Sequence, residues 1–189
     1  MPQGKGLTIM GRRRKASGKK AGFTVLEMAL ATVTLMVGIM SISAATLRMH
    51  QLSRQNREKA LAYNAVHGVA ERINSASAIA AMNPETWVET VVEAYGLGGV
   101  VGAEFDVLGL TPSDGANSVG TIQLITDETL TDADLGTVMG MPRDLNGDGD
   151  ALDTDVSANA NMLPVLVTAK WRNKGIDSFM KHPLYIMGY

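Results

Sequence analysis

An acidic segment in the C-terminal third of the chain has the residue types and spacing of a calcium-binding loop. Oxygen-bearing side chains stand at its first, third and fifth positions, Asp144, Asn146 and Asp148, and a glycine follows at the sixth. Asp150 at the seventh position would contribute its backbone carbonyl, and Asp155 stands at the twelfth, where a glutamate is usual. Hard oxygen ligands without cysteine or histidine exclude zinc and favour Ca²⁺. We therefore expect these five residues to form a calcium site.

Electrostatic repulsion is a second reason to expect a cation in this acidic loop, residues 144–155. It contains five aspartates and no lysine or arginine, so a tight fold would bring like charges together. The alternative is a solvated acidic turn marked by Asn-Gly and Asp-Gly pairs. The segment resembles one half-repeat of a bacterial dockerin, but a dockerin needs two copies and this chain has one. Its flanks lack apolar helical periodicity, which predicts a solitary loop before a strand.

A second candidate for chemistry is a single carboxylate, Glu27, at the edge of an uncharged apolar segment. The 20 residues from Met28 to Leu47 contain no charge, and about 20 residues suffice to cross a bilayer core. An acid at the centre of such a helix costs roughly 2.5 to 3.5 kcal/mol, so a partner must compensate it. If the chain is cut between Gly22 and Phe23, Glu27 lies one helical turn from a new α-ammonium group, which could pair with it in the same or a neighbouring subunit.

The sequence Gly22-Phe23-Thr24-Val25-Leu26-Glu27, with two lysines before it and an apolar run behind, resembles a known processing site. It is similar to the cleavage and methylation site of type IV pilins and type II secretion pseudopilins. In that family a prepilin peptidase cuts after the glycine, the new N-terminal phenylalanine is N-methylated, and a glutamate at the fifth mature position registers subunits during assembly. The resemblance implies that Gly22 ends the leader, Phe23 is the mature N-terminus and Glu27 is the assembly residue.

Other interpretations of the N-terminal region are weighed against this one. Val25 stands where leucine is commonest in the family, and the leader of 22 residues is long, so Met10 could begin a shorter one. A conventional secretory signal could be cut after 43–45, giving a chain that begins at Thr46, and a plain signal anchor would not be cut. Glu27 would then interrupt the apolar region without purpose. The leader's three consecutive arginines are not followed by apolar residues, as a twin-arginine signal requires.

Charge predicts the orientation and limits the partners. The leader's seven basic residues precede the apolar run and no acid lies among them, so we expect a single-pass inner-membrane protein with a cytoplasmic leader and an exported C-terminal head. Removing seven of the 17 basic residues leaves 10 against 19 acidic ones, a formal charge of −9. Such an anion is a poor ligand for nucleic acid. The chain has no cysteine and so no disulfide. A bound metal ion would be another way to hold a long loop in place.

The elements that position these residues begin with a long helix. We expect it to run continuously from Phe23 to about Met82, with the membrane segment in 23–47. Its second half has one apolar face, because apolar residues recur at steps of three and four. These residues are Val66, Val69, Ile73, Ala76 and Ala80. The alternative is two helices with a break near His50 or Gly68.

We expect the remaining residues, 83–189, to form a globular α+β head with one modest core. Asn83 as N-cap and Pro84 at the first turn predict a short helix that ends at Gly96. Four strands are expected after it, at 103–108, 121–126, 163–171 and 176–186, with a hairpin turn at 173–175. This is the pilin-like plan of the resembling family: a long N-terminal helix on a small, mostly antiparallel sheet.

No catalytic constellation accompanies these elements. His50, His67 and His182 are far apart in sequence and no nucleophile motif is matched, so we expect no enzyme. We expect a filament subunit instead, whose partners are other pilin or pseudopilin subunits, prepilin peptidase and an inner-membrane assembly platform, and which ends in an extracellular or periplasmic filament. The alternative is a calcium-dependent surface binding module that does not polymerise. The small head favours a minor subunit over a major one.

Overall fold

A computed structural model describes residues 22, 24–83, 85–96, 99 and 102–188. The elements are α1 (Val25–Ala80), α2 (Trp87–Tyr95), β1 (Glu104–Phe105), β2 (Gly120–Leu124), α3 (Asp132–Leu135), β3 (Met162–Asn173) and β4 (Ile176–Met187). The chain divides into two compact units, the first ending at Arg48 and the second beginning at Met49. The predicted α+β architecture is confirmed: a long N-terminal helix and a small four-stranded antiparallel sheet.

The first unit consists of the apolar beginning of α1. This helix is continuous from Val25 to Ala80, so the alternative of two helices with a break near His50 or Gly68 is wrong. Its hydroxyl side chains bond back to the helix, as Ser41 Oγ does to the Val37 carbonyl at 2.8 Å, which satisfies them without another chain. Among the described residues, α1 is the one helix long and apolar enough to cross a membrane.

In the second unit the later part of α1 contributes one face to the core. The predicted positions are confirmed, since Val66, Val69, Ile73 and Ala80 are buried and Ala76 packs against them while half-buried. Steps of three and four residues keep these side chains on one side of the helix. The opposite side carries the exposed polar residues of this part of α1.

Helix α2 begins later than the sequence predicts. Its N-cap is Thr86, which makes no side-chain capping bond, so the expected start at Asn83 is wrong, and Pro84 lies outside the described residues. Asn83 is instead part of a turn, because its N–H donates to a carbonyl at the end of α1 and its own carbonyl accepts from Thr86. The predicted end is confirmed: Gly96 follows the last helical residue and its N–H closes the final turn.

The sheet has the strand order β1-β2-β3-β4, with every neighbouring pair antiparallel. All four predicted strands are present, but β1 has two residues because the chain turns after Phe105, where Asp106 accepts from the Val119 N–H at 3.2 Å. The predicted hairpin between β3 and β4 is confirmed. Its two central residues, Lys174 and Gly175, have φ angles of 49° and 82°, as a two-residue type I′ turn requires.

Both faces of the sheet are covered near β4. His182 lies against His67 of α1, with ring centroids 5.4 Å apart. Lys181 Nζ, one residue earlier, donates to the Leu135 carbonyl at 2.6 Å, and the Tyr185 hydroxyl donates to the Met139 carbonyl. Because side chains alternate along a strand, α1 covers one face and the segment 131–161 covers the other.

This two-sided cover explains the burial of β3, which lies between β2 and β4. The sequence alternation predicts one apolar and one more polar face. In the structure Val167 is opposite His182 on the face toward α1, and Thr168 is opposite Lys181 on the other face. Both Val167 and Thr168 are buried, as is all of 163–169. The segment 131–161 therefore forms a second layer that the strand pattern did not indicate.

Candidate functional site

The predicted processing site lies at the start of the described chain. Gly22 is exposed, and Phe23 lies outside the described residues. Two residues beyond the predicted cut, the Thr24 N–H and hydroxyl both donate to Glu27 Oε2, at 2.9 and 3.0 Å. The Glu27 N–H in turn donates to Thr24 Oγ1 at 3.3 Å. Thr24 and Glu27 thus form a reciprocal capping box at the start of α1.

This capping box gives Glu27 a bonding partner within its own chain. The sequence signal for this capping box is Thr-x-x-Glu immediately before an apolar helix. From the sequence we assigned Glu27 to assembly and missed this local role. The carboxylate also lies in the first turn of α1, where the positive end of the helix dipole favours a negative charge. The bonds to Thr24 and the helix dipole therefore both stabilise the Glu27 carboxylate within a single subunit.

Beyond Glu27 the first unit exposes apolar side chains on all sides of the helix. Every described residue of this unit is exposed. Large side chains such as Leu30, Leu35, Ile39 and Ile42 have exposed fractions between 57% and 69%. A helix that is apolar around its whole circumference is stable when lipid or other helices surround it.

The acidic loop is built from successive turns in which side-chain oxygens accept backbone N–H groups. Asp144 accepts from the N–H groups of Gly147 at 2.5 Å and Gly149 at 3.0 Å. Asn146 accepts from the Asp148 N–H at 3.0 Å, and Asp148 accepts from the next residue but one at 3.1 Å. Gly149, the glycine at the sixth position, has φ of 105°, a conformation that favours glycine. The tight loop expected from the sequence is therefore formed.

Two carboxylates of the loop converge on the side-chain amide of Asn146. Its Nδ2 donates to Asp153 Oδ2 at 2.9 Å and to Asp148 Oδ2 at 3.3 Å. As the side chains stand, no three Asp, Glu or His groups in the described part of the chain converge as metal ligands. Ca²⁺ therefore stays a prediction for this loop, based on its spacing, its oxygen-rich chemistry and the pair of carboxylates on either side of one amide.

Asp155, predicted to close the site, points elsewhere in the structure. Its Oδ1 accepts the Ser157 N–H at 3.0 Å. This backbone bond, a bond with the Ser157 side chain and one with the Thr126 side chain hold the pKa of Asp155 below its usual value. The structure thus places Asp155 on Ser157 and Thr126, and it is Asp153 that reaches Asn146.

A buried acid at the base of the loop was missed from the sequence. Glu128 has no exposed surface, and its Oε1 accepts the N–H groups of Leu145 at 2.5 Å and Asn146 at 3.2 Å. Its other oxygen, Oε2, is buried and has no hydrogen-bond partner among the described residues. The segment Thr-Asp-Glu-Thr at 126–129 has the composition of an exposed turn, and no local pattern marks its glutamate as buried.

Two of the three histidines come together although they are far apart in sequence. The ring of His67 is stacked on Tyr63, and His182 meets the His67 ring edge-on. His67 Nε2 is 3.9 Å from a Glu71 carboxylate oxygen. The contact between the His67 and His182 rings joins α1 to β4.

Comparisons with known proteins add no relative to these observations. Neither the models of protein families, nor the curated proteins, nor the solved structures contain a match to this chain.

Proposed function

We propose that this chain is a structural subunit of a type IV pilus or of a type II secretion pseudopilus. Prepilin peptidase cuts it after Gly22, and it assembles through its N-terminal helix. The observation that carries this proposal is the part of α1 in the first unit, a helix that begins within the resembling motif, at Val25, and exposes apolar side chains on every side.

The exposed apolar surface of this unit requires two successive environments in a filament subunit. Burying a side chain the size of Leu or Ile contributes about 1.5 to 3 kcal/mol, and more than ten such side chains are exposed between Val25 and Leu47. Lipid satisfies this surface while the subunit is stored in the inner membrane. Helices of neighbouring subunits satisfy it in the filament core, because they offer equally apolar surface.

Glu27 supports assembly because it is the single charge between Lys20 and Arg48. Cleavage before Phe23 would create an ammonium group next to Thr24, the residue that already bonds Glu27. In the helix core of a filament, the amine of an adjacent subunit would be an opposite charge for this carboxylate. The partners that follow are prepilin peptidase with its methyltransferase activity, the inner-membrane assembly platform and other subunits.

The head contributes the exported surface of the subunit, and we propose that its acidic loop binds Ca²⁺. Side chains of Asp144, Asn146 and Asp148 and the carbonyl of Asp150 supply oxygen ligands of the type Ca²⁺ prefers. The sequence predicts Asp155 as the closing carboxylate. When bound, the cation would neutralise the loop aspartates and tie the loop into the second layer on the sheet.

Mass spectrometry of the N-terminus tests the assembly proposal directly. The mature protein, purified from a strain with the matching prepilin peptidase, should begin with N-methylated Phe23. Deleting the peptidase should leave the leader attached, which serves as the control. A mature N-terminus at Thr46 would reject the proposal, since the apolar segment would then have been removed as a secretory signal. Copy number in sheared filaments separates a minor subunit, which we favour, from a major one.

A calcium-dependent surface binding module is the second candidate, and the formed acidic loop is the observation that favours it. Such a module would bind a partner through the head and would never enter a filament. Fractionation distinguishes the two candidates: a module stays in the membrane or the medium as a single subunit, whereas a pilin-type subunit sediments with sheared filaments.

A further inference from the structure

Glu128 is the least satisfied acid in the described part of the chain. It is fully buried, yet only Oε1 has donors, the backbone N–H groups of Leu145 and Asn146. Both donors belong to the first turn of the acidic loop, so the carboxyl group lies directly at the base of that loop. Leaving a carboxylate oxygen buried without a partner costs several kcal/mol in a typical interior, and a positive charge in contact with Oε2 would remove that cost.

No side chain in the described ranges supplies that charge. The ion pairs there join Arg54 to Glu58, His67 to Glu71 and Arg172 to two aspartates, and none of them involves Glu128 or an aspartate of the acidic loop. The basic residue just before the loop, Arg143, lies over the Tyr185 ring with its guanidinium carbon 5.5 Å from the centroid. Neither Glu128 nor any of the five loop aspartates is thus paired with a basic side chain in the described part of the chain.

The loop also has a position from which an oxygen could face these acids. The Asn146 amide lies between Asp148 Oδ2 and Asp153 Oδ2, while the Asn146 backbone N–H bonds Glu128. Asp148 Oδ2, Asp153 Oδ2 and the second lone pair of Asn146 Oδ1, whose first lone pair accepts the Asp148 N–H, are the side-chain oxygen sites at this amide that a cation could bind. Asp155 is not among them, because Ser157 and Thr126 hold it.

We propose that Glu128 is a ligand of the cation in the acidic loop and supplies, from outside the loop, the carboxylate that the sequence expects from Asp155. Asp153, whose backbone carbonyl accepts the Glu128 N–H at 2.9 Å, joins Asp148 and Asn146 as the other side-chain ligands. This inference rests on the proposal that the loop binds Ca²⁺. It is independent of filament assembly, which the N-terminus of the mature chain decides.

The test is Ca²⁺ titration of the full chain in non-ionic detergent, followed by calorimetry and by the rise in melting temperature with Ca²⁺ concentration. Glu128→Gln keeps the size of the side chain and an acceptor for the two loop N–H groups, but it removes the charge. We expect it to weaken Ca²⁺ binding by at least about tenfold, since even residues behind the ligands of metal sites have effects of 10- to 100-fold. Without Ca²⁺, the variant should melt no lower than the original chain.

Asp127→Asn is the matched control, because it removes the same charge one residue away. Asp127 Oδ1 accepts from the N–H and hydroxyl of Thr129, and asparagine keeps that acceptor. We expect its Ca²⁺ affinity to change less than threefold, as an effect of charge at a distance. Asp155→Asn should likewise bind more tightly than Glu128→Gln.

Three results would overturn the inference, and they are distinguishable. Equal Ca²⁺ affinity of Glu128→Gln and the original chain would show that Glu128 is not a ligand. If Asp155→Asn loses Ca²⁺ binding while Glu128→Gln keeps it, the ligand set expected from the sequence would be correct. No binding by the original chain would reject the calcium site itself and this inference with it. If Glu128→Gln does not fold, Glu128→Asp keeps the charge and withdraws the carboxylate, and unchanged affinity in that variant contradicts ligation.

Discussion

At the residue scale, Asp132 shows how a half-buried acid can organise the second layer of the head. Its Oδ1 accepts the N–H groups of Met139 at 2.9 Å and Met141 at 3.0 Å, and its Oδ2 accepts that of Gly140 at 3.1 Å. These bonds, with that of Met141 the largest contribution, hold the pKa of Asp132 below its usual value. Since Met139 and Met141 are buried, the ionised carboxylate fixes the backbone from which two core side chains project.

The pH dependence of this contribution has a definite sign. A carboxyl group whose pKa is lower in the folded state stabilises the fold fully above its unfolded pKa, about 3.9 for aspartate. The stability is lost as the pH falls through the lower, folded pKa. We expect Asp132→Asn to lower the melting temperature at pH 7, and the difference from the original chain to narrow below about pH 4. Thermal melts with chelator present, from pH 7 to pH 2.5, measure this.

Glu93→Gln is the control for that series, because Glu93 is exposed on α2 and lies on the solvent side of the helix. Its melting temperature should follow that of the original chain at every pH. A difference between Asp132→Asn and the original chain that stays constant down to pH 2.5 would show that the side chain acts through its shape and not through its charge.

At the element scale, Glu58 fixes the second part of α1 to the β3–β4 hairpin. Its side chain is 11% exposed, and its Oε1 accepts from Arg54 Nε, one turn earlier, at 3.0 Å. Its Oε2 accepts from Asn173 Nδ2 at 2.5 Å, across 115 residues of sequence. Asn173 is the last residue of β3 before the turn, so this bond joins the helix to the end of the sheet.

A double-mutant cycle measures how strongly this link stabilises the head. Removing the Glu58 side chain leaves the Asn173 amide without its acceptor, so Glu58→Ala should lower the free energy of unfolding by about 1 to 3 kcal/mol. Asn173→Ala should cost less, because Arg54 still neutralises Glu58. We expect a coupling energy of at least about 0.5 kcal/mol. Denaturation can be followed through the buried tryptophans Trp87 and Trp171; strictly additive effects would mean that the bond contributes nothing.

The elements that the sequence predicts correctly have local signals, and those it misses depend on distant contacts. The buried face of α1 repeats at 3.6-residue periodicity, and Asn173-Lys174-Gly175 between two strand-like segments predicts a hairpin turn. Helix α3 has a capping box formed by Thr131 and Asp134, but it is four residues long and too short to show periodicity. The start of α2 was misplaced because Asn83 serves the turn after α1 instead of a new helix.

The candidate site divides in the same way. Turns within the acidic loop follow from its Asp, Asn and Gly spacing, which is local. The direction of the Asp155 side chain depends on Thr126, and the burial of Glu128 depends on Leu145 and Asn146. Both sets of contacts require parts of the segment 131–161 that are distant in sequence to lie against residues 126–128. A local sequence pattern therefore does not predict them.

At the scale of the whole molecule, the chain combines two surfaces that need opposite environments. The first unit is apolar and exposed, whereas the second unit, from Met49 to the end of the chain, has a formal charge of −9, from 9 basic and 18 acidic residues. A membrane around the first unit and water around the second would satisfy both surfaces at once. The second unit contains its own buried core, which includes no residue of the first unit.

Glu27 connects these scales, because one carboxylate has a local and an intermolecular candidate role. Its bonds with Thr24 complete a capping box, a motif that accepts glutamine as well as glutamate at this position. Pairing with the amine of another subunit instead requires the negative charge. Glu27→Gln therefore separates the two roles: it keeps the cap and removes the charge, while Thr24→Ala does the reverse.

If the charge registers subunits, Glu27→Gln should insert into the membrane and be cut after Gly22 like the original chain, yet be reduced at least about tenfold in sheared filaments, the effect of losing about 1.4 kcal/mol per subunit contact. Thr24→Ala should lose about 0.5 to 2 kcal/mol of helix-start stability and still assemble. Quantitative immunoblots of membrane and filament fractions measure both variants. Normal filament levels for Glu27→Gln, with a defect in Thr24→Ala, would make Glu27 a capping residue and leave subunit registration to the apolar surface of α1.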